Sequence, residues 1–123
     1  MKRAMTLPAL ALLAALMLLP GCGAGTTGGA AAAAVHTSTV DLPPSYRFDP
    51  AVITVPAGTT VTWTNHDNFT HSVKFDGGAD TNVHIMRPGE SASITFATPG
   101  EYPYVCTFHS QNMKGKVIVT AGQ

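Results

Sequence analysis

From residue 52 onward, short β-branched and aromatic runs alternate with polar positions and are punctuated by glycine and proline. Val52, Ile53 and Val55 stand between Pro50 and Pro56, and Ala57-Gly58 marks a turn. Thr59 to Thr64 then alternates, with Val61 and Trp63 on one face and Thr60, Thr62 and Thr64 on the other. His71 to Phe75 predicts a further strand in which Val73 and Phe75 share a face, and Asp76-Gly77-Gly78 ends it. Ser91 to Ala97 aligns Ala92, Ile94 and Phe96. Pro99-Gly100 predicts a turn into Glu101 to Cys106, and Gly115 to Thr120 sets Val117 and Val119 on one side. No stretch after residue 36 carries a helical period. Seven or eight short strands joined by Gly/Pro turns predict an all-β chain, an antiparallel Greek-key β-sandwich with Trp63 in its core.

The start of the chain reads differently. Lys2 and Arg3 precede an apolar run from Ala9 to Leu19 that is too short to span a bilayer, closed by Pro20, Gly21 and Cys22. Residues 1–22 are therefore expected to be a signal peptide processed as a lipoprotein at Cys22; the other reading is an ordinary secretory signal cut further on. Gly23 to Ala34 holds only Gly, Ala and Thr. It offers nothing from which to build a core, so residues 23–37 are expected to be a flexible linker. Residues 38–123 form the expected single domain, placed outside the cytoplasm, in the periplasm or on the outer face of the membrane, and held there by lipid on Cys22.

Charge narrows the partners. Charged residues make up 11% of the chain, and the formal net charge is zero. Removing Lys2 and Arg3 from the seven basic residues leaves five against seven acidic ones, a balance of about −2. There is no basic stripe for phosphates, so nucleic acid is not an expected partner. A monomer is expected.

The two cysteines supply the chemistry. With Cys22 at the processing site, Cys106 has no disulfide partner within the chain, and an exported free thiol calls for a reason such as a metal bond. Cys106, His109 and Met113 fall in one short segment, Cys-Thr-Phe-His-Ser-Gln-Asn-Met, between two predicted strands. Thiolate, imidazole and thioether are a soft set that selects copper. A further nitrogen is needed, and His71 is the candidate, because it begins a strand able to lie alongside the end of the Cys106 strand. His66 is expected as a solvated loop residue, His84 and Met86 as packing at a strand edge, and His36 as exposed. No serine sits in a G-x-S-x-G turn, and four protein ligands leave no open metal position, so an enzyme is not expected.

These residues carry a family likeness. Phe48-Asp49-Pro50, Val55-Pro56-Ala57-Gly58-Thr59, Val61-Thr62-Trp63-Thr64-Asn65, His71-Ser72-Val73, Pro99-Gly100-Glu101-Tyr102, Tyr104-Val105-Cys106 and Met113-Lys114-Gly115-Lys116-Val117 occur in order. The stretch from about Arg47 to Ala121 resembles a blue (type 1) copper protein of the cupredoxin family, in its amicyanin and plastocyanin branch. The resemblance implies one copper ion per chain, with His71, Cys106 and His109 as equatorial ligands and Met113 as the axial one. It implies one-electron transfer between a redox protein donor and acceptor; the alternative is a copper carrier or storage protein using the same site. The chain departs from the family pattern at Phe108, where proline is common before the second His, and at Ser72, where Asn is common after the first. The His109–Met113 spacing also lies between those of the two branches. Ser72 is expected to reach the backbone near Thr107 and tie the ligand loops together.

Overall fold

The computed structural model describes residues 32–122; the expected signal peptide and most of the expected linker lie outside them. Nine strands follow in order: β1 (Val35–His36), β2 (Thr39–Leu42), β3 (Val52–Pro56), β4 (Thr59–Asn65), β5 (His71–Phe75), β6 (Val83–Met86), β7 (Ser91–Phe96), β8 (Gly100–Val105) and β9 (Lys114–Thr120). Among the described residues there is no helix. Strand pairing starts at Val35, inside the stretch expected as linker.

The strands make two sheets, one in the order β1-β3-β9-β8-β5-β6 and one in the order β2-β4-β7. The expected β-sandwich is present, and both sheets are mixed. β1–β3, β3–β9 and β2–β4 pair in parallel, and the remaining pairs are antiparallel. Parallel neighbours need a crossover. The chain supplies it by moving to the other sheet between β2 and β4, with β3 in between.

Period-2 patterning decides what is buried. In β4 Val61, Trp63 and Asn65 turn inward, and in β7 Ile94 and Phe96 do. In β9 Val117 and Val119 turn inward. Trp63 is fully buried and meets Phe75 and Tyr104 edge to face at 5.9 and 5.4 Å between centroids. Such pairs add about 0.5–1.5 kcal/mol each beyond the area they bury. Burial raises the Tyr104 phenol above its usual pKa, with the nearby Trp63 indole N–H pulling the other way. Neither Trp63 Nε1 nor Tyr104 Oη completes a hydrogen bond. Gly115 is required beside this cluster, since a Cβ there would collide with the Tyr104 ring.

The core fixes one end of the sandwich. β8 and β9 pair through to Val105 opposite Lys114, so residues 106–113 close a loop between them. β5 lies beside β8 with Lys74 opposite Val105 and Phe75 opposite Tyr104. Continuing that register sets Ser72 opposite Thr107 and brings the start of β5 to the same loop.

Candidate metal centre

The loop is held at both ends. The Cys106 N–H donates to the Met113 carbonyl at 3.0 Å, extending the β8–β9 ladder by one step. Within the loop, the His109 N–H donates to the Cys106 carbonyl at 3.2 Å, and the Met113 N–H donates to the His109 carbonyl at 2.9 Å. These turns fold Cys106, His109 and Met113 back toward one another. Cys106 and Met113 are fully buried, while His109 is half-buried.

His71 arrives from β5. Its Nδ1 lies 3.8 Å from the Cys106 Sγ, and the His109 Nδ1 lies at the same distance from that sulfur. The three donor atoms of His71, Cys106 and His109 are all within 4.8 Å of one another. A nitrogen about 2.0 Å and a sulfur about 2.3 Å from a shared ion, spread at an open angle, stand about 3.5–4 Å apart, as the two 3.8 Å separations do. Thiolate and imidazole nitrogen, with a thioether in the same loop, form a donor set that suits copper. The residues present therefore fit a copper ion. The structure brings together His71, Cys106 and His109, and it places Met113 in the same loop.

The surroundings orient these groups. Thr107 N–H donates to Ser72 Oγ at 2.8 Å, the contact anticipated for Ser72. The Ser72 hydroxyl also lies 2.7 Å from the Thr107 hydroxyl. Ser72 N–H points at the Cys106 Sγ from 3.4 Å, a weak donor that stabilises negative charge on sulfur.

His71 is held from its far side as well, by Asp67. Its Nε2–H donates to Asp67 Oδ2 at 2.8 Å, with His71 fully buried and Asp67 nearly so. That hydrogen bond, aided by the Asn68 N–H, holds the Asp67 carboxyl below its ordinary pKa against the cost of desolvation. Asn65, buried at the end of β4, builds the turn that delivers Asp67. Its amide donates to the Phe69 and Met86 carbonyls at 2.8 and 3.0 Å and accepts from the Asp67 N–H at 2.9 Å.

His109 is covered by an aromatic group. The Tyr46 ring stands 4.4 Å from the His109 ring between centroids and stacks on Phe69 at 5.7 Å. Ser45 and Tyr46 both take positive φ, 121° and 54°, to bring it there. Phe69, Phe108 and Tyr46 are the large exposed apolar side chains around this edge. Sequence reasoning missed Asn65, Asp67 and Tyr46. Asp67 had a local signal, a carboxylate four residues before the candidate His; Tyr46 had none.

The other histidines stay apart from this cluster. His66 is exposed and paired with Asp41. His84 pairs with Asp80 at 2.8 Å on the edge strand β6, while Met86 is in the core. His36 is exposed. Among the described residues, His71, Cys106 and His109 are the only group of three or more His, Cys, Asp or Glu side chains close enough to share an ion.

Known proteins resemble this chain. The family model for a cupredoxin-like domain matches residues 9–119. A chloroplastic plastocyanin of Tetradesmus obliquus is 43% identical over 83 residues, covering 58% of this chain and 57% of that protein. Amicyanin-alpha of Methylorubrum extorquens is 38% identical over 77 residues, covering 59% of this chain and 64% of that one. The chain thus spans less than two thirds of the length of either relative. The structure of a reduced amicyanin mutant superposes with a TM-score of 0.60 at 34% identity, covering 67% of this chain and 80% of that one. Fold, ordered motifs and site geometry agree with these matches: the chain belongs to the cupredoxin-like family.

Proposed function

We propose that His71, Cys106, His109 and Met113 hold one copper ion and that the domain carries single electrons between a redox protein donor and acceptor outside the cytoplasm. The observation that carries this reading is the convergence of two imidazole nitrogens and a buried thiol within 4.8 Å at one end of the sandwich. Bound copper would supply a one-electron Cu(I)/Cu(II) couple.

The protein's own part is to keep the donors still. The Cys106–Met113 loop is clamped by the β8–β9 ladder and by Ser72, which supports a pre-formed site. A site that need not rearrange between oxidation states has little to reorganise when an electron moves. His109 is the donor nearest solvent, and Phe69, Phe108 and Tyr46 give its surroundings an apolar surface on which a redox protein can dock. The same clamping disfavours the copper-carrier alternative, which needs the loop to open. The role is that of a carrier and not of an enzyme.

We also propose that Cys22 carries lipid and that the Gly/Ala/Thr stretch after it spaces the domain from a membrane; mass spectrometry of the native N-terminus tests this, and an unmodified residue beyond Cys22 sinks it. For the copper site, the test is repeated redox cycling with a Cu(I) chelator present. Full copper retention with a reversible couple is expected. Loss of the metal on each reduction would favour a carrier of copper over a carrier of electrons.

A further inference from the structure

The two histidines of the centre are supported unequally, and the difference has a chemical consequence. His71 Nε2 is hydrogen-bonded to a buried carboxylate, whereas the only side-chain hydrogen-bond partner of His109 among the described residues is Cys106. We infer that Asp67 is a positioning residue for the metal: its carboxylate locks His71 with the proton on Nε2 and Nδ1 free, and its negative charge biases the site toward the oxidised ion. This inference rests on the copper reading above.

The argument starts from what a carboxylate can do. An ionised carboxylate only accepts hydrogen bonds, so the 2.8 Å contact requires the proton on His71 Nε2. In the neutral ring, the form that can bind a metal, Nδ1 then keeps its lone pair, and Nδ1 is the atom that faces Cys106 Sγ. A carboxylate on the far nitrogen makes an imidazole a stronger donor and fixes its ring orientation. Asp67 is itself held in place, by Asn65 through its own N–H and by the Asn68 N–H on its second oxygen, Oδ1. The group is therefore built to stay, in a buried position where charge is poorly screened. A fixed negative charge beside the site favours Cu(II) over Cu(I).

Asp67→Asn isolates the charge, because the amide oxygen can still accept from Nε2–H. The full chain, loaded with Cu(II), should keep its thiolate-to-copper absorption while its equilibrium moves toward Cu(I) by roughly tenfold, which is about 59 mV for one electron. Asp67→Glu should restore part of the wild-type value. An unchanged potential in Asp67→Asn with an intact spectrum would overturn the inference. A second readout needs no variant: in the wild type loaded with diamagnetic Cu(I), nitrogen-resolved NMR should show a slowly exchanging proton on His71 Nε2. Its absence would overturn the inference even if Asp67→Asn fails to fold. Wild-type protein that shows no thiolate absorption with Cu(II) would instead defeat the copper reading, and this inference with it.

Discussion

The chain contains two Asp-x-x-x-His segments, Asp67 to His71 and Asp80 to His84, and in both the imidazole Nε2 meets the carboxylate at 2.8 Å. Their Asp–His spacing is the same; their surroundings separate them. Side-chain exposure is 0% for His71 and 5% for Asp67, against 27% and 21% for His84 and Asp80. His71 opens β5 where that strand runs beside β8, so its free nitrogen faces Cys106. His84 lies on β6, the edge of the same sheet, and is not part of the cluster around Cys106. The pair is a local device. What it does is decided by the strand beside it, since a carboxylate–imidazole bond becomes a metal support only where soft donors converge on the other nitrogen.

The largest effect should come from removing each histidine in turn. His71→Ala leaves a cavity in a fully buried position and deletes a proposed ligand. It should abolish the copper absorption and destabilise the metal-free protein by about 2–5 kcal/mol, the range of large-to-small changes in packed interiors. His84→Ala should keep the absorption and cost under about 1 kcal/mol. Denaturant midpoints and visible spectra of the two variants check this, and similar losses in both would erase the distinction.

A smaller effect should follow from Ser72→Ala, which leaves the Thr107 N–H without its acceptor. The expected cost is about 0.5–1.5 kcal/mol. Colour should survive, and amide hydrogen exchange at Thr107 should speed up while residues around Asp80 are untouched.

The smallest effect concerns the outer pair under acid. Hydrogen bonds from the Asn82 N–H and from His84 hold the Asp80 carboxyl below its ordinary range. A carboxyl whose folded pKa is depressed stabilises the fold above its unfolded pKa of about 3.9, and that contribution is lost as pH falls through the folded value. Wild type should thus exceed Asp80→Asn slightly in unfolding midpoint at neutral pH, and the gap should close below about pH 4. A gap that is constant with pH would show that the Asp80 charge contributes nothing.

Parts of this arrangement were legible in the sequence because their causes are local. The Cys106–His109–Met113 grouping spans one loop, and the inward alternation of Val61 with Trp63 and of Ile94 with Phe96 is visible in their spacing. Ser72 could be tied to Thr107 because each follows a candidate ligand. The rest depends on distant chain. β2 has four residues, and its parallel partner β4 lies beyond a strand of the other sheet. β6 leaves Val83 and Ile85 exposed, so its polarity does not announce a strand with an inward apolar face. Asp67 reads as an ordinary loop acid until Asn65 turns it inward. Tyr46 lies 63 positions before His109 in the chain, and only its backbone conformation brings the two rings together.

The central claim is that these donors form one copper site, and adding Cu(II) to the purified protein while recording its visible spectrum tests it most directly. The wild type should develop an intense thiolate-to-copper band that saturates at one ion per chain, and Cys106→Ser should show none, since a hydroxyl cannot replace the thiolate. A wild type that stays colourless, or a Cys106→Ser protein with an undiminished band, would contradict the account.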